Sequence, residues 1–145
     1  MMIRKFAIVV CAICCLLLSA CNAHNHSNGV NNGDWEYALP NDYVIWHVNS
    51  KSIVCGKKNS EHSISHVTGD YVKSFSYNDE YIFLQCIANK QNNDNQIKYY
   101  IIKVQSDKII GPLAESEYGE YVAEHDIISP YWIDTSPIPQ GVVYK

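Results

Sequence analysis

Residues 97–113 read IKYYIIKVQSDKIIGPL, two runs of aromatic and β-branched residues on either side of Ser106-Asp107-Lys108. Isoleucine, tyrosine and valine suit a pleated, half-buried surface, and a short polar insert between two such runs predicts a β-hairpin. Gly111-Pro112 is expected to end the second arm, because proline cannot donate to a central ladder. The pattern recurs upstream. Residues 43–48 (YVIWHV) and 52–55 (SIVC) flank Asn49-Ser50-Lys51, while 67–77, with its alternating VKSFSY, leads through Asn78-Asp79-Glu80 into 81–88 (YIFLQCIA). This last run is the most apolar in the domain and predicts a central strand.

Residues 89–96 (NKQNNDNQ) carry no apolar side chain and read as a solvated loop. Residues 114–126 (AESEYGEYVAEHD) are the one stretch that reads as a helix, with acids in the first turn that suit the positive end of the helix dipole. Gly119 weakens it by about 1 kcal/mol relative to alanine. Pro130, Pro137 and Pro139 point to an extended tail laid on the surface. The expected fold is α+β, a mainly antiparallel β meander or small sandwich of about six strands with one C-terminal helix, in a single globular domain over residues 35–145.

The first residues are of another kind. Arg4 and Lys5 precede residues 6–18 (FAIVVCAICCLLL), an uncharged apolar run too short for the roughly 20 residues that a spanning helix needs. Leu18-Ser19-Ala20-Cys21 resembles the lipobox of bacterial lipoproteins. That resemblance implies a lipoprotein signal peptide over residues 1–20, cleavage before Cys21, and diacylglycerol on the Cys21 thiol. Two or three acyl chains on one residue give durable attachment to membrane lipid, where a single chain holds only marginally. Residues 21–34, rich in asparagine, form a flexible tether after Cys21. Asn22 is not the aspartate that retains some lipoproteins in an inner membrane. The expected position is therefore the outer membrane facing the periplasm in a Gram-negative cell, and otherwise the outer face of the cell membrane.

Without the leader the chain carries nine lysines against fifteen acids, a net charge of −6, and no arginine. Arginine is the usual fork for phosphate, so nucleic acid is not an expected partner. Export also fixes the cysteine count. Cys11, Cys14 and Cys15 leave with the leader and Cys21 is acylated, so Cys55 and Cys86 remain in an oxidising compartment, as a disulfide or as two buried free thiols.

The YYIIKV strand, its turn, IIGPL and the acidic EY pattern between Tyr99 and Tyr121 resemble the C-terminal half of a family of small uncharacterised bacterial lipoproteins. Ala38-Leu39-Pro40 with Tyr43 and Val44, and residues 76–82 (SYNDEYI), resemble earlier parts of that family. The family is a domain of unknown function, so the resemblance implies no catalytic or binding residues to carry over, and the Cys55 and Cys86 pair is a departure from it.

Few residues point to chemistry. His62 and His66 are four apart, but the residues between and after them argue for strand or loop, and no third ligand follows by spacing, so neither a metal site nor a cofactor is expected. No nucleophile elbow, two-histidine zinc motif or glycine-rich loop occurs, and no catalytic residue is assigned. A small envelope hydrolase using Cys55, with His47, His62 or His125 as base, or another histidine-centred site, is the competing reading. The favoured one is a non-enzymatic binding module of the cell envelope. Between Ile109 and Val143 stand Glu115, Glu117, Glu120, Glu124, Asp126 and Asp134 with no lysine or arginine, and Tyr118, Tyr121, Tyr131 and Trp132 lie in the same stretch. Acids steer a basic partner, such as an envelope or secreted protein, and aromatic residues anchor interfaces. The bland alternative is a solvated acidic face beside core aromatics.

Overall fold

A computed structural model of the chain describes residues 34–60, 63–88, 96–128 and 131–145. The leader, Cys21, nearly all of the tether, the loop at 89–95 and His62 lie outside the described residues. Strands β1 (Trp35–Ala38), β2 (Tyr43–Asn49), β3 (Ser52–Lys58) and β4 (Ile64–His66) form one antiparallel meander, and β5 (Tyr71–Tyr77), β6 (Tyr81–Ile87), β7 (Ile97–Lys103) and β8 (Lys108–Leu113) form a second. Helix α1 (Glu115–Glu124) follows, then β9 (Ile133–Asp134) and β10 (Val143–Tyr144). The two last strands return to different sheets, giving the orders β10-β1-β2-β3-β4 and β8-β7-β6-β5-β9. The fold is α+β and mainly β. The strands beyond the expected six are β1, β4, β9 and β10, all of two to four residues, too short to show an alternation.

Side-chain amides make the turns that set the register. Asn49 accepts from the Lys51 amide at 2.9 Å, and Asn78 accepts from those of Glu80 and Tyr81 at 2.9 and 2.8 Å. The sheets share one core, in which Trp35, Tyr43, Ile45, Ile53 and Cys55 of the first meet Val72, Phe75, Ile82, Leu84, Cys86 and Ile102 of the second. On β6, the middle strand of its sheet, Ile82, Leu84 and Cys86 face this core, while Phe83 is equally buried on the opposite face. Burial on both faces explains the apolar run, which Gln85 alone interrupts.

Two expectations need correction. Residues 67–70 are not part of β5 but connect β4 to β5, the Val67 amide donating to the Cys55 carbonyl at 2.8 Å. Gly111-Pro112 does not end the second hairpin arm. The strand β8 runs through to Leu113, because it is an edge strand where a missing N–H costs no ladder bond, and a register shift opposite Tyr99–Ile101 absorbs the pair. Gly111 has φ +124°, and a Cβ there would lie 2.6 Å from the Tyr99 carbonyl oxygen.

Polar ties hold the ends. Asp107, in the β7–β8 turn, accepts from Lys57 at 2.6 Å, Tyr43 at 3.0 Å and Asn41 at 3.1 Å, joining that turn to the first sheet. Glu36 on β1 is 5 % exposed and pairs with Lys58 and, at 2.5 Å, with Lys145 at the end of the tail. Burial pulls its carboxyl up, but the two ammonium groups outweigh burial and hold it below its ordinary value of 4.5. Among the described residues no helix is long and apolar enough to cross a membrane.

These features predict substitutions of opposite sign. Gly111→Ala meets both a positive φ and a backbone atom and is expected to destabilise by about 2 kcal/mol or more, whereas Gly119→Ala, exposed in α1 with nothing within 4 Å of the added carbon, is expected to stabilise by about 0.5–1 kcal/mol. Urea unfolding measures both. A carboxyl with a lowered folded pKa contributes stability above its unfolded pKa and loses it as pH falls through the folded value. Glu36→Gln is therefore expected to cost about 1 kcal/mol at pH 7, with the gap from wild type closing only below pH 4.5, the ordinary carboxyl value. Melting curves across pH 3 to 8 report that gap.

Candidate functional site

Helix α1 begins where the sequence places its acids. The Glu117 carboxylate accepts from the Ala114 amide at 2.7 Å, capping the first turn, and the Tyr118 amide bonds back to the Ala114 carbonyl at 2.9 Å. Tyr118 docks the helix on the outer face of the second sheet. Its ring stacks on Tyr99 at 4.7 Å, meets Phe83 edge-on at 6.2 Å, and lies 6.2 Å from the Trp132 ring. Tyr121 stacks on His125 at 4.0 Å, with the Lys103 ammonium 6.0 Å from its ring centre.

The predicted surface is thus divided. Tyr118 and Trp132 pack, Glu117 caps, and Tyr121 is half-buried. Glu115, Glu120 and Glu124 are exposed, and among the described residues no lysine forms an ion pair with any of them. Tyr131 is 89 % and Ile128 88 % exposed, so an aromatic and an aliphatic side chain stand in solvent just beyond the acidic helix.

A second location was not legible in the sequence. A cleft of about 680 Å³ opens between Trp35, His47, Tyr71 and Ile138, with Ser50 and Ser136 in its lining. His47 stacks on Trp35 at 5.5 Å, its cross-strand partner, and its buried Nδ1, without a hydrogen bond, is 4.0 Å from the Asp34 carboxylate. Thirteen positions separate Asp34 from His47, and only the β1–β2 register brings them together. The pairing could orient an imidazole. His66 is exposed on β4, edge-on to Trp46 at 6.4 Å, and His125 caps α1. Among the described residues no group of three or more His, Cys, Asp or Glu is arranged to hold a metal ion.

Cys55 and Cys86 are free thiols in this structure, both fully buried. Burial, and then the nearby Asp70, push the Cys86 thiol up to about 12, and burial raises Cys55 further. A nucleophilic cysteine needs an accessible thiolate. Cys55 offers neither the access nor the charge.

A family model described as "Protein of unknown function (DUF3997)" matches residues 40–130. The chain belongs to this family. No curated protein and no solved structure matches it. The DUF3997 match takes in β2 to β8 and α1, with Cys55, Cys86, Tyr118 and all four helix glutamates, and leaves out β1, β9 and β10 together with Trp35, Tyr131 and Trp132. The part of the DUF3997 domain that carries the acidic helix is therefore also the part that docks it.

Tyr118→Ala is expected to cost about 2 kcal/mol, since a half-buried aromatic is lost with its partners, and to lower the helical signal in circular dichroism. Tyr131→Ala, at an exposed position, is expected to stay within about 0.5 kcal/mol of wild type.

Proposed function

We propose that this DUF3997 protein is a bacterial lipoprotein, anchored in a membrane through lipid on Cys21, and that its domain is a non-enzymatic binding module of the cell envelope. Its partner is a basic envelope or secreted protein, met by the outward face of α1 and by Tyr131. One observation carries this reading. Docking through Tyr118 and capping through Glu117 leave Glu115, Glu120 and Glu124 exposed and, among the described residues, unpaired, and Tyr131 is exposed soon after the helix in sequence, an arrangement that packing does not require. Unpaired surface acids raise the association rate with a basic protein more than they raise affinity, and exposed aromatics supply the anchor.

A histidine-centred hydrolase is the second reading, favoured by the cleft that holds His47 with Asp34 behind it.

Crosslinking and pull-down from intact envelopes separates the two. A double Glu120→Lys, Glu124→Lys variant is expected to lose its basic partner while keeping its melting temperature, and Cys21→Ser is expected to leave the membrane fraction. Retention of the partner by the charge-reversed variant, together with loss of the phenotype in His47→Ala, would favour the hydrolase. A Cys21→Ser protein still sedimenting with membranes would overturn the anchor.

A further inference from the structure

We propose that Cys55 and Cys86 are joined in the exported protein by a disulfide that crosslinks its two sheets. Cys55 lies on β3 of the first sheet and Cys86 on β6 of the second, and both side chains belong to the same core cluster. Thr68, buried in the segment that passes from one sheet to the other, touches both. Its amide nitrogen is 3.5 Å from the Cys55 carbonyl oxygen, and its hydroxyl, without a well-formed hydrogen bond, lies against the Cys86 sulfur. The two thiols lie in one core cluster, and Cys86 adds, after burial, to the upward shift of Cys55. Immunoglobulin sandwiches carry a bridge of this kind between packed sheets, so the geometry is within reach of the architecture.

The same burial dictates when the bond forms. Inside the closed core the sulfurs are protonated and shielded, so exchange has to occur while the sheets are still apart. One cysteine thiolate attacks the disulfide of an envelope thiol-oxidising protein, forming a mixed disulfide and releasing that protein's first thiol. The second cysteine then attacks the mixed disulfide, closes the Cys55–Cys86 bond and releases the second thiol. The two thiol protons and two electrons leave on the oxidising protein, now a dithiol. After closure, the core that hinders oxidation also hinders reduction.

The proposal rests on export, and the experiment separates the two. The full chain, made with its leader, is taken from membranes into denaturant with N-ethylmaleimide and weighed as an intact protein. Neither Cys55 nor Cys86 is expected to react until reductant is added, after which both do, and reduction is expected to lower the melting temperature by roughly 10 °C or more. Cys55→Ser is expected to leave Cys86 reactive without reductant. In a parallel arm the same protein is reduced, unfolded and refolded with oxidised glutathione. Two reactive thiols in both arms would overturn the bridge. Free thiols in the membrane-derived protein with pairing on refolding would uphold the bridge and overturn export.

Discussion

Strand β6 has two apolar faces, and both must be covered. Ile82, Leu84 and Cys86 on one face and Phe83 on the other are fully buried, so no arrangement that leaves one side of this sheet in water can be stable. The first sheet covers the inner face. On the outer face Tyr118 stacks on Tyr99 and meets Phe83 edge-on, which fixes where α1 lies. The requirement of one strand thus assigns a role to the sheet before it in sequence and to the helix after it.

The helix is peculiar in what it contributes. None of its residues is fully buried, and it is held by partly covered aromatic side chains and not by an aliphatic stripe. A helix docked this way keeps most of its circumference in solvent, and its remaining positions are free to be acidic. The tail answers the opposite need. By returning to β5 as β9 and to β1 as β10, it covers one exposed edge of each sheet with very short strands, and the Lys145 ammonium meets the buried Glu36 carboxylate where the second of these closes.

Much of this was legible because local chemistry and tertiary structure agree. The Asn49 and Asn78 turns, the β7–β8 hairpin, the central position of YIFLQCI and the span of α1 all follow from residue type and spacing. What was missed depends on partners distant in sequence. A proline reads as a stop unless the strand is known to be an edge, and β8 is an edge because, among the described residues, no strand pairs with its far side. Strands of two to four residues carry no periodicity, since β9 and β10 exist because an edge was waiting for them. The cleft around His47 is hidden for the same reason, its walls coming from β1, β2, β3, β5 and the tail. Of the predicted surface, the acids could be read directly. Which aromatics would be spent on packing could not, because that depends on what faces Phe83.

This division constrains where function can reside. The thiols of Cys55 and Cys86 are placed where solvent does not reach and where burial keeps them protonated. Tyr43 and Tyr100 are likewise pushed above their ordinary values, first by burial and then by their bonds to Asp107 and Asp70, so they too remain neutral donors. The carboxylates of Glu115, Glu120 and Glu124 on α1 are exposed and are poor nucleophiles. On the proposed binding reading, the field of the exposed acids acts on an approaching basic surface without any bond being made or broken. The inner core then has the task of keeping that surface in one shape, and a covalent tie between the sheets would serve that task without altering the face presented to a partner.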